Sequence, residues 1–536
     1  MTGRKLAGGI LGAAGLITVL TLASRAVGFV RWLVQSWTLG STEAAQAYET
    51  ANRIPNVLFE VAAGGALAGA VVPLLAMPLA RELREDVDRT ASALLGWTLA
   101  VLVPLAVVVE LLAEPLAGLL LGGAAAGDAT SRLTVTFLRI FALQIPLYGI
   151  GVVLSGVLQA QKKFFWPALA PLLSSSVVIG AYVAFGVLTD GRQDDPAALP
   201  TAAVAWVAWG TTAGVVAMSL CQLGPVLRSG VRLRPALRFP PGAGRRARHL
   251  AAAGIGALLS QQISVVVVLY LANAFGGTGT INVYGYAQAV YFLPYAVLAV
   301  PLSTAVFPRL SERAGTGDRA GFATMAAGST RLVVAVALVG MALLVAVAPA
   351  ATAIFSLRDD MPGMTVAITA FAPGIVGYAL IFHVSRALYA VDRGHAAVAA
   401  TATGWLVVAL ASVVGVLLLV PDGVDGPATL LALTAASSLG MTVAGLLLLL
   451  ALRREARRLG GLTRTLAVGG VAALAGAFLG RIVVDAVLEA AGTGALGAIT
   501  SAAAGGVLAL AVPAGAVVLL DHDTWRLSRW AADAHE

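Results

Sequence analysis

Long apolar runs, almost free of charged residues, recur along the whole sequence of 536 residues. A helix that crosses a bilayer needs about 20 such residues. Only 12% of the residues are charged, whereas soluble domains carry about a quarter. A membrane barrel would instead show strands that alternate apolar and polar positions. The runs therefore predict an all-α polytopic membrane protein.

Fourteen of these runs are long enough to predict transmembrane helices. We expect the first run, which follows Arg4 and Lys5, to remain as a span and not to be cleaved as a signal peptide. The approximate cores of the fourteen predicted spans are residues 9–36, 44–79, 91–113, 133–158, 166–188, 202–227, 250–275, 281–307, 332–356, 364–388, 396–420, 427–452, 465–480 and 495–520.

The basic residues lie mainly on one side of the predicted membrane. With a cytoplasmic N-terminus, 27 of the 35 Lys and Arg fall in inside segments, four in outside loops and four within spans. Cytoplasmic loops carry such an excess. The asymmetry predicts a multi-pass protein of the cell membrane with both termini cytoplasmic. It also accounts for the net charge of +8 without nucleic acid as a partner.

Two pairs of similar segments divide the chain into repeated halves. SGVLQAQKK at 155–163 is similar to SRALYAVDR at 385–393, and IPNVLFEV at 54–61 is similar to LPYAVLAV at 293–300. Transporters are often built from such duplications. The seven arginines between residues 228 and 248 indicate a topology determinant with anionic-lipid binding as an additional role. The predicted domains are a six-helix lobe at 1–227, a basic cytoplasmic linker at 228–249, a second six-helix lobe at 250–452, two additional transmembrane helices at 453–520 and a cytoplasmic tail at 521–536.

Charged residues within spans cluster in the first two helices, as Arg25, Arg31, Glu49, Arg53 and Glu60. Charges at this depth usually face a cavity or pair with one another. Three arginines around a wet cavity would suit a diphosphate, because guanidinium groups match phosphate oxygens. In the alternative interpretation, Glu49 neutralises Arg53 four residues later, and the other two arginines extend to the outer interface.

Three residues predict hinges, in the first, second and eighth spans. Gly28 lies between the two arginines of the first helix, Pro55 follows Arg53, and Pro294 occupies the place of Pro55 in the repeat. Proline removes a helical hydrogen bond, and glycine permits bending. We therefore expect the first two spans to bend near their charges and the eighth span to bend at Pro294.

Enzyme motifs are absent from the sequence, which contains no P-loop, no HExxH and no GxSxG. The single cysteine, Cys221, cannot form an intramolecular disulfide or a CxxC metal site. Paired acids at 194–195 and 359–360 would allow a metal-dependent polyprenyl-glycan transferase as a rival class, although short acidic loops are usually solvated turns. We predict neither an enzyme nor a metal site or other cofactor.

Two further segments carry a family pattern. SRAVGFVR at 24–31, followed by RIPNVLFEVAAGGALAGAVVPLLA at 53–76, occupies the first half, and YAQAVYFLPYAVLAVPLSTAVFPRLS at 286–311 occupies the second. Together they resemble the MurJ/MviN-type lipid II flippases of the multidrug/oligosaccharidyl-lipid/polysaccharide exporter superfamily. The glycine-rich second helix and Trp32 resemble the actinobacterial branch of that family.

The resemblance implies a transporter that moves lipid II, the undecaprenyl-diphosphate-linked peptidoglycan precursor, from the inner to the outer leaflet. We hypothesise alternating access between the two lobes. Lipid II and cell-wall synthesis proteins are the expected partners, with the membrane potential or an ion as the energy source. The alternatives are a flippase for another polyprenyl-linked glycan and a membrane polyprenyl-glycan transferase. The residues expected to bind substrate are Arg25, Arg31, Arg53 and Asn56, with Glu49 and Gln288 as further cavity residues.

Several positions depart from the better-known family pattern. Phe59 and Ala289 stand where the pattern has arginines, and Gln46 stands where it has an acid. The predicted cavity is therefore less cationic than in those members. Acids that form a sodium site in some members have no counterpart in the seventh and eleventh predicted spans, which leaves the coupling ion open.

Overall fold

The structure is a computed structural model, and it describes residues 2–61, 68–123, 128–456 and 459–521. Within these ranges the regular elements are all helices. The chain divides into two compact units, residues 1–258 and 259–536. The division lies within one long helix, which begins fifteen residues earlier at Ala243.

The first unit contains ten helices in the described part of the chain, together with the start of an eleventh. They are α1 (Thr2–Thr38), α2 (Glu43–Phe59), α3 (Ala68–Ala80), α4 (Arg84–Leu111), α5 (Ala113–Leu120), α6 (Ala129–Ala142), α7 (Gln144–Ala160), α8 (Phe165–Thr189), α9 (Thr201–Leu220), α10 (Leu223–Arg228) and α11 (Ala243–Gly276).

The second unit continues from α11 and includes one segment of π-helix between two α-helices. Its elements are α12 (Thr280–Pro294), the π-helical segment Tyr295–Ala299, α13 (Val300–Gly315), α14 (Arg319–Phe355), α15 (Met364–Phe371), α16 (Gly374–Ala390), α17 (Gly394–Leu419), α18 (Gly426–Ala456), α19 (Leu462–Ala491) and α20 (Ala495–Leu520).

Eleven described helices or joined helices are long and apolar enough to cross a membrane. The pair α15 and α16, bent by 45°, makes a twelfth candidate if it is one span. The prediction of an all-helical, multi-span protein is therefore confirmed. The first two predicted spans include residues 9–18 and 62–70, whose side chains lie outside the described set, so the number fourteen stays a prediction.

The core of the first unit forms where α3, α4 and α7 pack together. Gly156 of α7 lies against Val71 of α3, and a Cβ at that glycine would come within 2.4 Å of the valine Cγ1. The close approach lets apolar side chains of the three helices fill one cluster. Its members include Leu74, Leu75, Val87, Leu94, Val153, Leu154 and Val157.

Small residues bring two helices of the second unit into close contact. A Cβ at Gly377 of α16 would lie 2.0 Å from the carbonyl oxygen of Met441 in α18, and Gly445 faces Gly377 from the other helix. Helices in membranes associate through such small residues because their backbones can approach closely. The contact holds α16 against α18.

A buried ion pair ties the last two helices to α14. Arg331 Nη2 lies 2.7 Å from Asp521 Oδ1, and the aspartate side chain has no exposed surface. Thr465 at the start of α19 accepts a hydrogen bond from Arg331 Nε at 3.3 Å and donates one to Asp521. Asp521 is the first residue of the predicted cytoplasmic tail. The remaining tail residues, 522–536, lie outside the described part of the chain.

Candidate functional site

The site begins at the turn between α1 and α2. Thr42 caps α2, its side chain accepting the N–H of Ala45 at 3.3 Å, and Gly40 adopts a left-handed φ of 71° that the tight turn requires. Such a cap satisfies one of the free N–H groups at a helix start. The turn therefore joins the end of α1 to the start of α2, and Gln35 of α1 reaches Glu49 of α2.

Glu49 and Arg53 form an ion pair on one face of α2. Arg53 Nη2 lies 2.7 Å from Glu49 Oε1, and the side chains are 21% and 5% exposed, respectively. The second carboxylate oxygen of Glu49 accepts a hydrogen bond from Gln35 Nε2 of α1 at 3.3 Å. The structure thus contains the pairing that one of the two sequence interpretations described, and it adds a contact across the helix pair.

Two guanidinium groups nevertheless keep unused donors. The Nε atoms of Arg31 and Arg53 are buried and have no hydrogen-bond acceptor among the described residues. Arg31 precedes Gln35 by one turn on α1, as Glu49 precedes Arg53 on α2, so the bond between Gln35 and Glu49 brings the two helix faces together. Buried donors without partners are rare and costly. An anionic oxygen is the acceptor they suit best.

The other predicted site residues are Arg25, Asn56 and Gln288, and they differ in exposure and position. Arg25 is exposed, and it lies about 9 Å along the helix from Arg31 and turned about 120° around it. Asn56 is half-buried, and its Nδ2 donates to the carbonyl oxygen of Asn52 at 2.7 Å. Gln288 is half-buried in α12, in the second unit. Within the first unit the structure therefore pairs Arg53 with Glu49 and links Glu49 through Gln35 to α1, the helix that carries Arg31 and Arg25.

The three predicted hinges differ in backbone geometry. The helix α1 runs unbroken through Gly28, and α2 runs through Pro55 to Phe59 before two residues of π-helix, Glu60 and Val61. Only Pro294 ends its α-helix, and the π-helical segment follows it directly. Such π-helical turns frequently mark functional positions in helices.

A chain of buried hydroxyls connects the ion pair to the rest of the first unit. Tyr182 OH of α8 donates to Gln35 Oε1 at 3.3 Å and lies 2.9 Å from Tyr48 OH of α2. Tyr48 OH is in turn 3.1 Å from Thr211 Oγ1 of α9. None of these hydroxyl groups was predicted from the sequence to belong to the site. Their signal was a polar group within an apolar span, but only the fold shows which of many such groups meet.

Aromatic residues of the second unit form a cluster, and Phe382 at its edge contacts a further arginine. Phe292, Tyr295 and Tyr378 contact one another, with Tyr295 and Tyr378 at 4.8 Å between ring centroids. Arg386 lies over the ring of Phe382 at 3.7 Å, and its Nη1 donates to Thr304 Oγ1 at 3.2 Å. These aromatic side chains are half-buried. Half-exposed aromatic faces beside a cation provide a surface for polar rings as well as for anions.

Evidence for the rival enzyme class is weak in the described chain. Asp195 Oδ1 accepts the N–H of Ala197 at 3.0 Å, which is the bonding of an ordinary turn. Among the described residues, no group of three or more His, Cys, Asp and Glu is placed to hold a metal ion. Asp195 therefore has a local structural role in this turn.

The fold defines the class of protein, a multi-span helical membrane protein with buried charges in its first unit. A solved structure of the lipid II flippase MurJ in an inward closed conformation matches with a TM-score of 0.71 at 18% identity, covering 94% of this chain and 99% of that one. An inward-facing multidrug resistance transporter of the MATE family matches with a TM-score of 0.61 at 16% identity, covering 83% and 95%. At these identities the likeness establishes the fold alone.

Sequence comparison then establishes the family. The profile described as lipid II flippase MurJ matches residues 36–510, and the chain belongs to this family. The lipid II flippase MurJ of Burkholderia cenocepacia is 30% identical over 310 residues, which cover 55% of this chain and 56% of that protein. The probable lipid II flippase MurJ of Rhizobium tropici is 27% identical over 343 residues, covering 64% and 60%. The chain thus spans a little more than half the length of these relatives.

Proposed function

We propose that this protein flips lipid II from the inner to the outer leaflet of the cell membrane. Family membership supports the proposal, and so do the relatives named as lipid II flippases. The observation that carries it in this chain is the pair of buried Nε donors without acceptors on Arg31 and Arg53. The substrate's diphosphate carries the oxygens that these donors lack.

The chemistry of the site fits an anion that is held and then released. A guanidinium has five N–H donors, so Arg53 can keep Glu49 on Nη2 and still bind a phosphate oxygen through Nε. Glu49 cancels one of the two positive charges, which keeps the attraction moderate. We assign Arg25 and Asn56 to the substrate path. No chemical step on the substrate is required, so the protein acts as a transporter and not as an enzyme.

We also propose how the chain crosses the membrane. The twelve candidate spans, together with α1 and the pair α2 and α3, would make fourteen, with both termini in the cytoplasm.

The headgroup crosses by alternating access through a polar path while the polyprenyl tail stays in lipid, which avoids the cost of burying unsatisfied polar groups. A membrane potential, negative inside, favours outward movement of an anion by about 2.3 kcal/mol per charge per 100 mV. We therefore propose the potential, without a cofactor, as a driving force.

The proposal is tested in spheroplasts depleted of their own flippase. The measured quantity is the fraction of lipid II that an added lipid II-cleaving toxin can reach. The wild-type protein should restore cleavage, and the Arg25, Arg31 and Arg53 triple alanine variant should not. As a control, Arg139→Ala removes an exposed arginine that pairs with Glu114, and it should restore cleavage fully. Failure of the well-inserted wild type would indicate another polyprenyl-linked glycan as substrate.

A further inference from the structure

Residues 229–239, which we call the strap, follow α10 and have an alternating sequence. Val231 and Leu233 alternate with Arg232 and Arg234, and the proline at 235 prevents a helix. In an extended chain, successive side chains point to opposite sides. Val231 is accordingly 5% exposed within the core of the first unit, and Leu233 packs against that core, whereas both arginines are exposed.

The strap is fixed to one face of α4. Asp88, Ser92 and Gly96 are four residues apart and therefore lie along one side of the helix. Asp88 Oδ1 accepts the N–H of Arg232 at 2.9 Å, and Ser92 Oγ accepts the N–H of Arg234 at 3.0 Å. These bonds use the strap's backbone, so they hold it in place and leave the arginine side chains available.

The contact continues further along α4. The carbonyl oxygen of Ser92 accepts the N–H of Ala236 at 3.1 Å, and Trp97 Nε1 donates to the carbonyl oxygen of Leu237 at 2.9 Å. Gly96 is required beside Ala236, since a Cβ there would lie 2.0 Å from the Ala236 carbonyl oxygen. From Asp88 to Trp97 the strap follows α4 for about 14 Å.

The strap's surface carries three cationic side chains and, next to one of them, an exposed apolar patch. Arg232, Arg234 and Arg238 are exposed and make no ion pair in the described part of the chain. Leu237 and Trp97 are 56% and 46% exposed. Since the strap begins directly after a candidate span, which ends at Arg228, it lies at a membrane surface. An amphiphile with an anionic headgroup matches a surface that has both exposed cations and an exposed apolar patch.

A cavity beside the strap has no net charge, so it is not the source of the positive charge on this surface. Its volume is about 430 Å³, and Arg84 and Lys163 line it together with Glu82 and Asp88, so its charges cancel. The net positive charge belongs to the strap's outward side chains. We infer that the strap is a fixed binding surface for an anionic phospholipid, with Arg232, Arg234 and Arg238 on the phosphate and Leu237 with Trp97 along an acyl chain.

The test measures the affinity of the purified full-length protein for short-chain phosphatidylglycerol, with phosphatidylcholine and free glycerol phosphate as comparison ligands. The triple variant R232Q/R234Q/R238Q keeps the backbone bonds and should bind phosphatidylglycerol at least tenfold more weakly, since each basic residue near an anionic surface contributes about fivefold. Gly96→Ala keeps every arginine but displaces the strap, and it should also weaken binding. The matched control R319Q/R453Q/R454Q removes three exposed arginines elsewhere and should bind as wild type does.

Three results would overturn the inference. One is unchanged phosphatidylglycerol affinity in the strap triple variant. Another is an equal loss in the control triple variant, which would make net charge the cause. The third is binding of free glycerol phosphate as tight as that of the lipid, which would show that no acyl contact exists. Thermal unfolding of each variant without lipid separates loss of the strap from loss of the fold.

Discussion

Glu49 has two partners, and each of them contacts a different oxygen of its carboxylate. Arg53 holds one oxygen from within α2, and Gln35 holds the other from α1. Gln35 is itself oriented by Tyr182, whose hydroxyl also meets Tyr48. The position of Arg53 therefore depends on residues that do not contact the proposed substrate.

Replacing Glu49 with glutamine should strengthen substrate retention and slow transport. The change removes the negative charge and leaves the Arg53 guanidinium uncompensated, which destabilises a largely buried group. We expect a lower melting temperature for Glu49→Gln, a larger rise of that temperature on adding lipid II, and slower flipping. Thermal unfolding with and without lipid II gives the first two values. Wild-type stability and wild-type flipping in this variant would contradict the role given to Glu49.

Replacing Tyr182 with phenylalanine removes one hydroxyl from the network and should cost about 1 kcal/mol of stability. Because Tyr182 acts on Arg53 through Gln35, a Tyr182→Phe, Gln35→Leu double variant should lose less than the sum of the two single losses. Flipping rates should show the same non-additivity, with a smaller loss in the double variant than the sum of the two single losses. The control is Tyr270→Phe, at an exposed tyrosine of α11, which should change neither quantity. Strict additivity would show that the two residues act independently.

Part of this site was predictable from the sequence. Arg31, Arg53 and Glu49 were identified because a charge within an apolar run is conspicuous, and the spacing of four residues already indicated the ion pair. Gln35 and Tyr182 are separated by 147 residues. No local pattern shows that their helices pack together, so the network was found only in the structure.

At the scale of helices, too, the sequence predicted only part of the structure. Hydropathy predicted where apolar runs lie but not where helices break within them. The predicted span 364–388 is the bent pair α15 and α16, and the span 133–158 is α6 followed by α7. The basic linker was predicted from its arginines and prolines. Its bonds to α4 join residues about 140 positions apart and had no signal in the sequence.

Close helix contacts provide a stability prediction for the second unit. A Gly377→Ala variant places a methyl group against the Met441 carbonyl and should push α16 from α18, at a cost of about 1–3 kcal/mol. The control Gly180→Ala is a helical glycine of α8 with open space around its Cβ position, and it should be neutral or slightly stabilising. Thermal unfolding of the purified variants compares the two. Equal melting temperatures would show that α16 and α18 do not need this contact.

At the scale of the whole molecule, the fold and the family are established, whereas the orientation in the membrane rests on the distribution of basic residues. Gly315 and Gly494 are matched probes, because each has open space around its Cβ position. The predicted topology puts Gly315 in the cytoplasm and Gly494 outside.

Cysteine labelling tests this orientation. With Cys221, the only cysteine, changed to serine, a Gly494→Cys variant should react with an impermeant maleimide in intact cells. A Gly315→Cys variant should react only after the cells are permeabilised. The reverse pattern would place both termini outside and would contradict the proposed direction of transport.

The most direct measurement is the affinity of the purified protein for lipid II, compared with undecaprenyl monophosphate, in wild type and in an Arg31→Gln, Arg53→Gln double variant. If the two buried Nε donors bind the diphosphate, wild type prefers lipid II and the double variant loses at least tenfold in affinity for it, with little change for the monophosphate. Equal lipid II affinity in the well-folded double variant would contradict the assignment of this site to the substrate.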